Sequence, residues 1–232
     1  MVFRVFAAAL AAGLLSAVLI TALQSVTTMP LILEAETFEV AEPNHDHTTT
    51  TEHDHSQSEW MPAEGMERML YTLLANFGAA VGFSLLLIVG LTFERVPVDG
   101  ARGVIWGLAG FAVFTLSPAL GLPPGVPGMA APDEQAAQIW WIGTVVLSAA
   151  GLACLVYGKA LVFKALGLAL LALPHLWGAP PVIGGSLVPA EMAARFSALS
   201  IVLGGVFWVL IGYFSGIIFA RLGDTSTKNQ EI

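Results

Sequence analysis

Long apolar runs separated by short polar segments dominate this sequence. A helix needs about 20 residues, at roughly 1.5 Å per residue, to cross the ~30 Å hydrocarbon core of a bilayer. The pattern therefore predicts an all-α integral membrane protein with six transmembrane helices. The predicted spans cover residues 5–24, 70–93, 103–120, 139–157, 161–177 and 196–220.

Two of these runs admit another interpretation. The fifth is short and carries Lys164, so a five-span topology stays open, although a lysine near the interface can extend its ammonium group to the membrane surface. The first follows Arg4 and resembles a signal peptide. However, its apolar character continues through residues 25–33 without a clear small-x-small cleavage site, which favours a retained helix.

Composition supports a membrane domain and excludes several functions. The chain is 56% hydrophobic and 11% charged, whereas soluble domains carry about 25% charged residues. Its nine Lys and Arg residues form no patch for nucleic acid. The sequence contains no phosphate-binding loop, no H-E-x-x-H and no nucleophile elbow. We therefore predict that the protein is not an enzyme and has no permanently bound cofactor.

Charge distribution predicts the orientation. With the N-terminus inside, seven of the nine basic residues fall on the inner side, and thirteen of the seventeen acids fall on the outer side. This follows the positive-inside rule. Both termini are predicted to be cytoplasmic, and residues 25–68 are predicted to form an outer loop that is rich in His and acidic residues.

The six spans are predicted to form three hairpins, because the inward-running helices start with similar signatures. These are Pro62-Ala63-Glu64-x-x-x-Arg68, Pro132-Asp133-Glu134-x-x-x-Gln138 and Pro189-Ala190-Glu191-x-x-x-Arg195. Proline at the first position and a carboxylate in the first turn are ordinary helix-start signals. Alternatively, an acidic ring could attract cations to the mouth of a pathway. The candidate entry residues are Glu64, Glu67, Glu134 and Glu191.

The outer loop contains two His-Asp-His units. Residues two apart in an extended chain point to the same side, so each pair of imidazoles can share one ion. Imidazole and carboxylate ligands suit cobalt, nickel and zinc. The segment is therefore a candidate metal collector, although a solvated linker or a nonspecific metal-binding tract is also consistent with it. The candidate ligands are His45, Asp46, His47, His53, Asp54 and His55.

Three further ligand candidates lie closer to the membrane. Glu34 and Glu36 follow an apolar segment, which places them near the outer surface, where they could pass an ion to the spans. His175 follows Pro174 in the fifth run. An ionisable group inside a span is a functional candidate by default, although a structural hydrogen bond explains His175 equally well. Asn76 is a polar candidate for lining a pathway.

Several strings in this sequence resemble the CbtA-type cobalt transporter subunit family. They extend over nearly the whole chain and include the tryptophan pair Trp140-Trp141. The longer strings are Pro30-Leu-Ile-Leu-Glu-Ala-Glu36, Glu59-Trp-Met-Pro-Ala-Glu-Gly-Met-Glu-Arg-Met-Leu-Tyr-Thr-Leu-Leu-Ala-Asn76, Gly121-Leu-Pro-Pro-Gly-Val-Pro-Gly-Met129 and Pro174-His-Leu-Trp-Gly-Ala-Pro180.

The resemblance implies a protein of the bacterial or archaeal cytoplasmic (inner) membrane that supplies cobalt for cobalamin synthesis. It also implies about five spans and a partner, a small single-span CbtB-type subunit that carries its own histidines. A homo-oligomer is a further possibility, and the lipid bilayer is the surrounding medium. The sequence therefore predicts a permease subunit for a divalent metal, most simply cobalt. A membrane protein that binds, senses or delivers the metal without a pore is the alternative.

Overall fold

The computed structural model describes residues 2–40, 62–63, 65–94 and 96–228. The described part is mainly helical, which confirms the predicted all-α membrane fold. The helices are α1 (Val2–Val26), α2 (Thr28–Val40), α3 (Met66–Leu91), α4 (Gly100–Phe111), α5 (Ser117–Ala119), α6 (Glu134–Tyr157), α7 (Leu161–Trp177) and α8 (Ala190–Lys228). A π-helical segment, Ala112–Leu116, joins α4 to α5.

Five helical stretches within the described residues are long and apolar enough to cross a membrane. Four of them are α1, α3, α6 and the first part of α8, Ala190–Gly223, and the fifth is Gly100–Ala119, which combines α4, the π-helical segment and α5. α7 lies where the fifth span was predicted, but it has only 17 residues, or about 25 Å of helix. The prediction of six spans therefore depends on whether α7 crosses the bilayer.

The structure differs from the predicted 25–68 loop, because residues 28–40 form the helix α2. Only Thr27 separates α2 from α1. Leu31 and Ala35 on α2 are buried against Val126, Val188 and residues of α8. This tertiary packing stabilises a helix that the acidic side chains at 34, 36 and 39 suggested was a loop.

The two ends of the bundle differ in structure. One end, which we call the loop end, carries residues 120–133 and 178–189. There β1 (Ala131–Pro132) pairs antiparallel with β2 (Val182–Ile183), and the Leu187 N–H donates to the Gly128 carbonyl at 2.9 Å. The other end, the terminal end, carries the start of α1 and the connections at residues 92–99 and 158–160. α2 therefore ends, and α3 begins, at the loop end.

The predicted arrangement of three sequential hairpins is not the one that the structure shows. α1 packs on α3 as that prediction requires, but α8 packs mainly on α4 and α1, while α7 packs on α6. Glycines explain the α4–α8 contact, because small residues let two helix backbones approach closely. A Cβ atom on Gly107 would lie 2.3 Å from the Trp208 carbonyl oxygen, and one on Gly216 would lie 2.2 Å from that of Asp99.

The second helix-start signature supplies a side-chain cap, whereas α3 begins at Met66, within the first signature, with Gly65 at the N-cap position and no side-chain cap hydrogen bond. Asp133 is the N-cap of α6, and its carboxylate accepts a hydrogen bond from the Ala136 N–H at 2.9 Å. Pro132 lies in β1 rather than at the first helical position. α8 begins at Ala190, directly after Pro189. These contacts support the capping interpretation for the second signature.

Candidate functional site

A cavity of about 480 Å³ lies between α1 and α2 on one side and α3 and α8 on the other. It occupies the half of the bundle nearer the loop end, because Arg68 in the first turn of α3 and Phe196 in the second turn of α8 contribute to its wall. Apolar side chains form most of the lining, with a smaller set of polar groups. The polar lining residues are Gln24, Thr28, Arg68, Thr72, Asn76 and Ser200.

An ion pair joins α2 to α3 at this cavity. Arg68 Nη1 lies 2.6 Å from Glu36 Oε1, and Nη2 lies 3.0 Å from Oε2. The side chains are 15% and 22% exposed. Such a two-point contact between guanidinium and carboxylate is stronger than a single hydrogen bond and fixes the orientation of both groups. The pair therefore holds α2 against the start of α3.

Asn76 lies one helical turn beyond Thr72 on the wall of the same cavity. Its amide Nδ2 donates to Thr21 Oγ1 at 2.9 Å and to Gln24 Oε1 at 2.6 Å. Both acceptors belong to α1. The predicted pathway residue thus lines a cavity and also crosslinks the two helices that form its wall.

On the side away from the loop end, a cluster of aromatic rings adjoins the cavity. Phe207 lines it, and the Phe83 ring lies 6.4 Å from Phe207 and 4.6 Å from Trp208 between centroids. Phe114, in the π-helical segment, stacks on Trp208 at 5.6 Å. The neighbouring Thr115 hydroxyl accepts a hydrogen bond from Trp208 Nε1 at 2.9 Å. We call Phe83, Phe114, Phe207 and Trp208 the aromatic floor.

Three buried hydroxyls lie on the terminal side of this floor. Ser16, Ser84 and Ser215 are fully buried, and their oxygens have no hydrogen-bond partner among the described residues. Ser84 and Ser215 lie between two core clusters. Ala80 and Ile211, one helical turn before each serine, belong to one cluster. Ile88 and Phe219, one turn after each serine, belong to the other. Ser16 lies one turn from Ile20, which lines the cavity.

Arg4, at the start of α1, contacts α8 near the terminal end. Its Nη2 donates to the Phe219 carbonyl oxygen at 3.3 Å, and its guanidinium carbon lies 5.1 Å from the centre of the Phe219 ring. This cation–π contact stabilises the packing of α1 against α8.

His175 lies in a different part of the bundle. Its Nε2 is 3.4 Å from Ser117 Oγ on α5, and Ser117 Oγ is 2.7 Å from Ser148 Oγ on α6. The Trp140 ring meets the imidazole edge-on at 6.3 Å. His175 therefore joins a hydroxyl network among α5, α6 and α7, and none of these helices lines the cavity.

The structure does not gather the predicted ligands into one metal centre. Glu34, Glu67, Glu134 and Glu191 are exposed. Within residues 2–40, 62–63, 65–94 and 96–228, no three His, Cys, Asp or Glu side chains lie close enough together to hold a metal ion. Glu64 and the candidate ligands in residues 45–55 lie outside the described residues, so their roles stay predictions.

Sequence reasoning did not identify three parts of this site. Arg68 was noted only as part of a helix-start signature, whereas it lines the cavity and pairs with Glu36. The aromatic floor carried no motif. The buried serines resembled the ordinary small residues of membrane helices. The sequence showed Arg68 near one helix end and Glu36 near another. Their pairing could not be predicted, because it depends on the helical conformation of residues 28–40.

This fold and this cavity define a multi-pass membrane protein whose helices α1, α2, α3 and α8 surround a mainly apolar cavity that also carries several polar groups. Residues 3–220 match the model of the family described as "Probable cobalt transporter subunit (CbtA)". The chain therefore belongs to the CbtA family, as its sequence motifs predicted. Neither the search of curated proteins nor that of solved structures returned a match.

Proposed function

We propose that this chain is a permease subunit through which a divalent cation enters the cell. The proposed cation is cobalt, and its proposed use is cobalamin synthesis. Family membership supports a role in cobalt transport. The observation that supports a pore is the 480 Å³ cavity between α1, α2, α3 and α8, which has six polar residues in a mainly apolar wall and adjoins the aromatic floor. The proposed location is the cytoplasmic membrane of a bacterium or archaeon, with the loop end facing outward.

The form of the ion follows from the lining of the cavity. Its described walls supply amide and hydroxyl groups and one ion pair, but no cluster of strong metal ligands. Six water molecules occupy about 180 Å³ at ~30 Å³ each, so the cavity has room for a divalent ion with its first water shell. We infer that the cation enters hydrated and that the cavity is a vestibule rather than a chelating site.

The driving force in this proposal is the membrane potential. A divalent ion that moves to a negative interior gains about 4.6 kcal/mol per 100 mV, at ~2.3 kcal/mol per elementary charge. The sequence contains no phosphate-binding loop that would couple transport to ATP by that route. Passage requires a second conformation in which the aromatic floor separates and the hydroxyls of Ser16, Ser84 and Ser215 contact the ion's water shell.

The His-Asp-His tract has the role of a collector in this proposal. Residues 45–55 connect α2 to α3, and both helices border the cavity. Open imidazole–carboxylate sites bind nickel and copper more tightly than cobalt, so the tract raises the local metal concentration without choosing the metal. Deletion of residues 44–56 tests this role. Reduced uptake of radiolabelled cobalt at limiting concentration would support it, and unchanged uptake would contradict it.

The partner of this subunit is proposed to be the small single-span CbtB-type protein that carries histidines. The decisive experiment reconstitutes the purified chain in liposomes, with and without this partner, and measures cobalt entry under an inside-negative potential. Entry in either case supports the permease. If neither preparation admits cobalt while the protein still binds it, the chain is instead a metal-binding or delivery protein without a pore.

A further inference from the structure

Arg68 places a positive charge on the wall of a cavity that we propose to admit cations. A fixed guanidinium of this kind would repel a divalent ion, and weak screening in a partly buried site makes the repulsion larger than at an open surface. Glu36 occupies both terminal nitrogens of this guanidinium, at 2.6 and 3.0 Å. The pair as a whole is neutral.

We propose that Glu36 sets the charge preference of the cavity by neutralising Arg68, and that it does not act as a metal ligand. This inference rests on the proposed function. It identifies Glu36 as the residue that offsets the positive charge at the cavity and so allows cations to enter. Both carboxylate oxygens already accept hydrogen bonds from Arg68, so an ion coordinated by Glu36 would share its carboxylate with the guanidinium and lie close to that positive charge.

Packing keeps Glu36 in place for this role. Its neighbour Ala35 is fully buried, and Leu31, one turn earlier on α2, is 5% exposed. Both pack against the core cluster at the loop end. This anchors one face of α2 and leaves Glu36 beside the cavity, whereas Glu34, two residues earlier, is exposed. The two neighbouring acids therefore differ in surroundings although they carry the same charge.

The cavity potential can be measured without transport. Cys154 is the single cysteine of the chain, so Cys154→Ser provides a cysteine-free background. Ser200, which lines the cavity, is then changed to cysteine as a reporter. The measured quantity is the ratio of its reaction rates with a cationic and an anionic methanethiosulfonate reagent of similar size.

Each variant of the pair has a defined expectation. Glu36→Gln should shift the ratio about tenfold toward the anionic reagent, and Arg68→Gln should shift it toward the cationic one, because a single fixed charge changes local ion concentrations by about this factor. The double variant Glu36→Gln/Arg68→Gln should return near the parent ratio. Glu34→Gln removes the same charge from an exposed position and should change the ratio by less than about twofold.

The double variant also guards against misfolding, because it removes both charges of the ion pair together. Size-exclusion chromatography and thermal unfolding in detergent identify any variant that fails to fold. A ratio in Glu36→Gln equal to that in Glu34→Gln would overturn the inference. So would a double variant that stays at the Glu36→Gln value.

Cobalt entry into liposomes separates this inference from the proposed function. We expect Glu36→Gln to lower the entry rate about tenfold and the double variant to restore most of it. If the parent protein admits no cobalt, the proposed permease function is wrong, while the reagent ratio still tests whether Glu36 neutralises Arg68. If the parent admits cobalt and Glu36→Gln admits it equally well, the permease function is supported and the proposed role of Glu36 is wrong.

Discussion

A Cβ atom on Gly103 would lie 2.0 Å from the carbonyl oxygen of Gly212, where α4 crosses α8. The reciprocal distance, from a Cβ on Gly212 to the Gly103 carbonyl oxygen, is 2.3 Å. Real Cβ contacts do not occur at such distances, so the backbones meet directly. This contact explains why α8 packs on α4 rather than beside α7, its neighbour in sequence.

The first prediction follows from this contact. Gly103→Ala should destabilise the protein by about 1–3 kcal/mol, because the added methyl forces a rigid backbone interface apart. The measurement is thermal unfolding in detergent. Gly78→Ala is the matched control, because a Cβ at that helical position meets no heavy atom within 4 Å. Equal unfolding temperatures for the two variants would contradict the close approach of α4 and α8.

The second prediction concerns the aromatic floor. Phe83 contacts Phe114, Phe207 and Trp208, so Phe83→Ala should open a gap beneath the cavity and raise passive cobalt entry. Quenching of a fluorescent metal indicator trapped in liposomes measures that entry. Truncation of a buried Phe costs about 3–5 kcal/mol, so the experiment belongs at low temperature, where the variant remains folded.

Phe163→Ala provides a comparison for the floor variant. Phe163 lies on α7, away from the cavity, and its side chain is 48% exposed. Its truncation should leave the entry rate unchanged. Faster entry in both variants would indicate general leakiness of a loosened bundle and would remove the aromatic floor from the mechanism.

The third prediction separates stability from transport at the buried serines. Ser84→Ala and Ser215→Ala each remove a buried hydroxyl without a partner among the described residues. Removal of an unsatisfied polar group can stabilise a protein by about 1–3 kcal/mol. Cobalt entry should nevertheless fall, because the inner half of the proposed path would lose its polar contacts. Unfolding temperature and entry rate are therefore expected to change in opposite directions.

Ser197 offers the matched control for the serine variants. Its hydroxyl donates to the Pro124 carbonyl at 2.6 Å and to the Ala193 carbonyl at 2.9 Å. Ser197→Ala should therefore lower the unfolding temperature and leave the inner path unaltered. If Ser84→Ala and Ser215→Ala also lower it while entry stays at the parent rate, these hydroxyls are structural.

The fourth prediction compares the two polar residues that the sequence placed on a pathway. Asn76 lines the cavity and bonds to Thr21 and Gln24, whereas His175 contacts Ser117 outside it. Asn76→Leu should therefore reduce cobalt entry more than His175→Gln does. Loss of one such interhelical contact costs about 0.6 kcal/mol in stability on average, so both variants should fold. A larger defect in His175→Gln would move the path to α5, α6 and α7.

The sequence alone predicted several of the helices that form this site and one of its polar residues. The apolar runs predicted α1, α3, α6 and α8, because burial in lipid requires long uninterrupted hydrophobic stretches. Asn76 was recognised as a polar group in an apolar helix. The acids at 34 and 36, in contrast, were treated as equivalent, and only the α2 helix distinguishes them, since it turns Glu36 toward Arg68 and leaves Glu34 exposed.

Hydrophobicity and motif therefore determined the class, the positions of most spans and the family of this protein, since each is a property of contiguous residues. The tertiary structure decided which helices pack together and which side chains share a cavity. Glycine positions control those contacts through the fit between two backbones, and Glu36 meets Arg68 across 32 residues of chain. Such pairings depend on the complementary shape and charge of separate segments, which one-dimensional periodicity does not encode.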